Sequence, residues 1–159
     1  MRLLLALALA VSVAASGTSA AAATGRPLAE GIVCSAATTK TLVRTFVRDY
    51  DGGRVAAVGR LWAPEPYFQW FSARTPGARL GASAYDRATL LAYFRARARV
   101  HENLRLTELR AGYDPMRNIV NFAGKLVRSA DGLPPGQPQD FKGASDCRDG
   151  RPRLIVWSM

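Results

Sequence analysis

One histidine and two cysteines are all the imidazole and thiol metal-ligand chemistry in these 159 residues. His101, Cys34 and Cys147 stand far apart, and their spacing matches no zinc pattern, so no metal centre is expected. The chain also lacks a Ser-His-Asp order, a P-loop and a paired-carboxylate spacing, so no residue pattern points to a cofactor. Lysine is scarce, present only as Lys40, Lys125 and Lys142. The 22 basic residues are therefore almost all arginine, set against 12 acids for a formal net charge of +10. After residue 22 no run is long and apolar enough to span a bilayer, which takes roughly 20 residues. Internal repeats and a second domain are missing as well.

The positive charge invites a reading as a nucleic-acid binder, but the arginines are scattered from Arg26 to Arg153. The densest group, Arg95, Arg97 and Arg99, fans across a wide arc of a helix rather than forming a stripe. Without a binding motif beside it, such charge reads as a solvated surface with at most weak attraction to anionic envelope polymers. No specific nucleic-acid partner is expected.

The most informative stretch that is present comes first. Met1-Arg2 supplies a short positive start, Leu3 to Val13 an apolar run, and Ala15 to Ala22 a small, weakly polar tail. That order is a secretory signal peptide over residues 1–22, with cleavage expected near Ala20 to Ala22. The mature protein is thus expected outside the cytoplasm, secreted or extracytoplasmic. Losing Arg2 lowers the net charge by only one. In an oxidising compartment the two cysteines predict a disulfide, Cys34–Cys147. Closing so long a loop is worth roughly 4–5 kcal/mol in the chain-entropy picture.

Residues 23–37 read as a flexible mature N-terminus, broken by Gly25, Pro27 and Gly31. Thr38 or Thr39 then caps a helix whose buried stripe is Leu42, Val43, Phe46, Val47 and Tyr50. Asp51-Gly52-Gly53 stops it, and a short second helix follows from Arg54 to the Pro64 and Pro66 boundary. Residues 67–72 predict a strand and residues 74–84 a loop. Asp86 caps a third helix with Leu90, Leu91, Phe94 and Ala98 on its buried stripe, and His101 falls on that stripe seven residues after Phe94. Strands are predicted over 104–112, 118–129, 144–148 and 153–158, with Val120, Phe122, Gly124 and Leu126 on one side of the second. Helices followed by an antiparallel run make an α+β domain, four or five strands curling around the helices.

On these residues the chain resembles the nuclear-transport-factor-2-like superfamily and, within it, the SnoaL-like branch. The resemblance covers about residues 36–159 and makes 38–159 the folded domain. It rests on the helix Leu42–Tyr50 with Asp51-Gly52-Gly53, on Val55-Ala56-Ala57-Val58 leading to Leu61-Trp62-Ala63-Pro64, on Asp86 to Phe94, and on two long late strands. It implies a cone-shaped α+β barrel, N-terminal helices packed in a curved antiparallel sheet, with a pocket at the open end. It also implies homodimerisation through the outer sheet face as a common arrangement. Such a pocket serves isomerases, dehydratases, cyclases and non-catalytic binders alike, so the fold does not choose a function. Steroid-isomerase-like members carry a tyrosine seven positions before the glycine, where this chain has Thr45 or Phe46. They carry a carboxylate on the strand after the second helix, where this chain reads Phe68-Gln69-Trp70-Phe71. Dehydratase-like members use His and Asp, and only His101 fills the His role.

Candidate ligand-binding residues are Trp62, Tyr67, Trp70, Tyr93, Asn121 and Trp157, the aromatics suited to stacking on a flat molecule. Each has an equally physical structural role, because aromatics also dominate core energetics. His101 is the candidate catalytic base; a histidine at a helix C-terminus is equally well explained by the helix dipole. With both recognisable catalytic positions replaced, the leading expectation is an exported binder of a small, partly apolar or aromatic ligand, without catalysis. The alternatives are a lyase or isomerase acting on a polyketide-like or steroid-like substrate, with His101 as base and Asn121 or a tyrosine as electrophile, and a purely structural or interaction module.

Overall fold

The computed structural model describes residues 34–72, 81–147 and 150–159. The expected signal peptide and residues 23–33 of the expected flexible N-terminus lie outside the described residues. Helix α1 spans Ala36–Asp51 and starts earlier than the sequence predicts. Its N-cap is Ser35, not Thr38 or Thr39. The Ser35 hydroxyl accepts from the Thr38 backbone N–H at 3.1 Å, and the Thr38 hydroxyl accepts from the Ser35 N–H at 3.0 Å. This is a capping box with threonine in the third position, and it satisfies two otherwise orphaned donors. Thr39 is instead buried, its hydroxyl 2.7 Å from that of Ser145 across the core. Just before the helix, Cys34 and Cys147 form the expected disulfide, with Cα atoms 5.7 Å apart and a sequence separation of 113. The far end of α1 is fixed as well, since the Asp51 carboxylate accepts from the Leu104 N–H at 2.7 Å.

Helix α2 (Val55–Arg60) follows, then strands β1 (Gln69–Ser72) and β2 (Ala82–Ala84), helix α3 (Arg87–Ala98), and strands β3 (Asn103–Asp114), β4 (Ile119–Ser129), β5 (Gln139–Asp146) and β6 (Arg153–Ser158). Asp86 caps α3 as expected, accepting from the Thr89 N–H at 2.8 Å. The six strands form one sheet in the order β2-β1-β6-β5-β4-β3. It is curved and unclosed, so the cone is a wrapped sheet rather than a sealed barrel. Two expectations are corrected here. The sheet has six described strands instead of four or five, because residues 82–84 pair with 70–72 inside the stretch predicted as loop. The sheet is also not wholly antiparallel, since β1 runs parallel to β6 with Trp70 opposite Trp157.

Curvature has local causes. The β3–β4 register slips between Leu106 and Glu108, and the β5–β6 register slips between Ala144 and Ser145. Such bulges bend a strand and raise its twist. At the first slip, a Cβ on Gly124 would overlap the Glu108 carbonyl; near the second, one on Gly143 would overlap the Phe122 ring and the Val156 carbonyl. Only glycine lets the backbones approach this closely.

The concave face closes on aromatic rings. Phe46 of α1 lies 4.5 Å from Trp157, 5.9 Å from Phe94, 6.0 Å from Trp70 and 6.2 Å from Trp62, centroid to centroid. Tilted and edge-on pairs at these distances add roughly 0.5–1.5 kcal/mol each to the burial itself. The Leu42–Tyr50 stripe predicted from helical spacing is the stripe that is buried.

Candidate functional site

The residues picked out by type separate into three environments. Trp62, Trp70 and Trp157 are fully buried among rings and belong to the core. Tyr67 is 54% exposed, and Asn121 also faces solvent, on the opposite face of β4 from Val120 and Phe122. Tyr93 alone is both half-buried and polar-tipped towards the interior. The candidate set does not converge on one pocket.

His101 is corrected in placement. Its side chain is 76% exposed and its Nδ1 lies 2.7 Å from Asp131 Oδ2 at the surface. Helix α3 ends at Ala98, and His101 itself adopts φ 45, so helical phase does not carry as far as the imidazole. The next residue, Glu102, begins the return into the sheet and is the one that points inward, with 2% exposure.

Glu102 opens onto a buried polar network that the residue-type survey missed. Arg128 of β4 reaches the Glu102 Oε1 with Nη2 at 2.6 Å and Nε at 2.8 Å. Its Nη1 donates to Ser72 Oγ at 2.9 Å and its Nη2 to Tyr93 Oη at 3.2 Å. The Tyr93 hydroxyl donates to Ser72 Oγ at 3.0 Å. Arg97 Nε stands 3.9 Å from Glu102 Oε2. Helix α1 adds Tyr50, whose ring packs edge-on against Phe94 at 5.7 Å.

Parity places these groups. Ser72 lies two residues after buried Trp70 on β1, Glu102 two before buried Leu104 at the start of β3, and Arg128 two after buried Leu126 on β4. A strand returns to the same face every second residue, so each polar residue continues an apolar inward row. Tyr50 and Arg97 do the same on helices, four residues after Phe46 and Tyr93. That continuation was the available signal.

Electrostatics separate the roles. Burial opposes the Arg128 charge, but the Glu102 carboxylate outweighs it and raises the guanidinium pKa. Burial, reinforced by the Glu102 charge, raises Tyr93 and pushes Tyr50 well above the ordinary phenol range. Both phenols are thus proton donors at neutral pH, not bases. The Glu102 carboxylate acts on the Tyr50 hydroxyl by both its charge and a hydrogen-bonding interaction, each of which favours the protonated phenol. Tyr50 Oη and Glu102 Oε2 are both buried with no partner in full hydrogen-bond geometry, as are the indole N–H groups of Trp62, Trp70 and Trp157. Leaving such a group unpaired costs about 1–3 kcal/mol. Among the described residues, no three His, Cys, Asp or Glu side chains gather to hold a metal ion.

Among the described residues three helices lie against a curved six-stranded sheet, and this is the cystatin-like fold of NTF2-like proteins. The solved structures agree. A protein of unknown function from Mycobacterium tuberculosis shares 12% identity at TM-score 0.61, over 77% of this chain and 68% of that one. An NTF2-like protein with a cystatin-like fold from Novosphingobium aromaticivorans shares 12% identity at TM-score 0.60, over 77% and 78%. An NTF2-like protein of unknown function from Shewanella oneidensis shares 11% identity at TM-score 0.55, over 77% and 95%. At these identities the likeness is one of fold. No family model matches the sequence, and no curated protein matches it. Among the described residues no helix is long and apolar enough to cross a membrane.

Proposed function

We propose that this chain is an exported, non-catalytic binder of a small, partly apolar molecule carrying a hydroxyl group. The observation that carries the reading is the buried pair Tyr50 Oη and Glu102 Oε2 beside an aromatic wall, neither with its hydrogen bonding complete, although Arg97 lies 3.9 Å from that carboxylate oxygen. A phenol held protonated offers a donor and a carboxylate offers an acceptor. One hydroxyl satisfies both, because it accepts from Tyr50 and donates to Glu102. The rest of the molecule would lie against aromatic rings, the usual composition of a small-molecule site. Catalysis finds little support. Where steroid-isomerase-like relatives would hold a tyrosine this chain has Thr45 or Phe46, and where they would hold a carboxylate it has the acid-free stretch Phe68-Gln69-Trp70-Phe71. Export rests on the character of residues 1–22 and is supported by the Cys34–Cys147 bridge.

Thermal unfolding of the mature protein with 1-naphthol and with 1-methylnaphthalene tests the reading, since the two differ at the hydroxyl. A ligand at about 100 times its Kd stabilises by about 2.7 kcal/mol, several degrees in midpoint. The hydroxylated probe is expected to raise the midpoint, and Tyr50→Phe and Glu102→Gln are expected to abolish the rise. A null shift with 1-naphthol and with a panel of other hydroxylated aromatics and alicyclics, or equal shifts with and without the hydroxyl, would defeat the proposal.

A further inference from the structure

A second concavity lies away from the aromatic interior. It is a cleft of about 690 Å³ between the first half of α1, the end of α2 and the turn before β6. Its floor is apolar, formed by Ala37, Leu42, Leu61 and Pro152, and threonines Thr38, Thr41 and Thr45 stand along one wall. Its remaining lining is Arg60, Arg151 and Arg153, with no acidic residue among the described residues. Among the described residues no carboxylate pairs with any of these three arginines.

The arginines are not equivalent. Arg153 is half-buried and its Nη1 donates to the Arg60 carbonyl. Arg87 donates likewise to the Gly59 and Ala63 carbonyls. Both therefore cap the end of α2, whose last carbonyls lack partners within the helix. Arg60 and Arg151 do no such work and are exposed. A neighbouring cleft of about 470 Å³ shares Arg60 and Arg153 and adds Arg87, so positive charge continues along one side of the molecule.

We propose that this cleft is an anion site for a small amphiphile, an apolar body on Leu42 and Leu61 with a carboxylate or phosphate head between Arg60 and Arg151. The volume lies in the range of small-molecule sites, about 300–1,000 Å³. An apolar floor ringed by unmatched guanidinium groups fits an acidic headgroup bidentately. It disfavours a cation outright and gives a neutral alcohol only the floor. The cleft is separate from the Tyr50–Glu102 pair, and this site stands or falls independently of that one.

Calorimetric titration of the mature protein with decanoate, decyl phosphate, decanol and decylammonium, all below their micelle concentrations, tests the assignment. Backbone amide shifts locate the binding. Saturable binding of at least one anion is expected, with shifts at Ala37, Thr41 and Leu61 and with decanol at least tenfold weaker. The two anionic arms report which headgroup the site takes. Arg60→Gln with Arg151→Gln is expected to weaken that binding at least tenfold while circular dichroism stays unchanged. Thr41→Trp, which fills the cleft from an exposed helix position, is expected to abolish it. No saturable anion binding, equal binding of decanol or decylammonium, or full affinity in the arginine or tryptophan variants would overturn the proposal.

Discussion

Removing either half of the Glu102–Arg128 pair is expected to cost far more than removing both. The two side chains are 0% and 3% exposed and meet through contacts of 2.6 and 2.8 Å. Breaking a buried ion pair from one side leaves an uncompensated charge and typically costs about 3–5 kcal/mol. Arg128→Met should sit at the lower end, because Arg97 stands 3.9 Å from Glu102 and remains a nearby positive charge. Glu102→Leu should sit at the upper end, because Arg128 then keeps only the neutral oxygens of Ser72 and Tyr93. The double variant removes both charges, and Ser72 and Tyr93 still bond to each other at 3.0 Å. Its cost should be about 0–2 kcal/mol, giving a coupling energy of at least about 3 kcal/mol in the cycle. Urea unfolding of the three variants at pH 7, with slopes compared to confirm two-state behaviour, reads this directly. Single costs below about 1 kcal/mol, or a double variant costing the sum of the singles, would show that water or another group already neutralises the pair.

The bridge at residues 34 and 147 closes a loop of 113 positions. Cys34→Ser with Cys147→Ser should lower stability by about 2–5 kcal/mol in urea unfolding, and non-reducing peptide mapping of the parent should link the two; unlinked thiols in exported protein would refute this. Asp49 is opposed by burial, but hydrogen bonds and charge from Arg54 and Arg48 outweigh it and hold its pKa below the ordinary 3.8. The stability it contributes is therefore present above about pH 4 and lost as pH falls through the lowered folded value. Asp49→Asn should flatten the acid limb of a stability-versus-pH curve, and an unchanged limb counts against the salt-bridge account. Asp51 works in the opposite sense, because burial raises its pKa despite the Leu104 N–H. It costs stability once ionised, so Asp51→Asn should gain relative to the parent as pH rises above about 4. His101→Ala should alter stability by no more than about 1 kcal/mol, the range of exposed ion pairs, and a larger loss in the melting curve would mean the imidazole is tied into the fold in a way its exposure does not reveal.

Helical elements were legible because their signals are local. Asp86 caps α3 at the predicted residue, and the 3.6-residue period of Leu42, Val43, Phe46, Val47 and Tyr50 matches the buried face of α1. The long strands β3 and β4 were legible for the same reason. Strand β2 was not, because Ala82, Ser83 and Ala84 carry no β-branched or aromatic side chain and the strand is held by its partner β1. The parallel contact of β1 with β6 joins residues 87 positions apart, and no local pattern encodes it. The site was misread through residue type. A lone histidine and surface asparagine drew attention as reactive groups, whereas Glu102 and Arg128 are ordinary in isolation. Their meaning comes from parity with Leu104 and Leu126, which places two charges in the inward row.

The strand order also governs when the molecule can assemble. β6 lies between β1 and β5, yet it is made after every other strand. Until residues 153–158 have left the ribosome, the β1–β2 hairpin has no neighbour, and Phe46, Trp70 and Phe141 lack the Trp157 ring that they flank in the finished protein. Sheet assembly thus waits for residues 153–158, and pairing across so wide a span makes for slow folding. The chain therefore stays open along the facing edges of β1 and β5 until β6 is inserted between them.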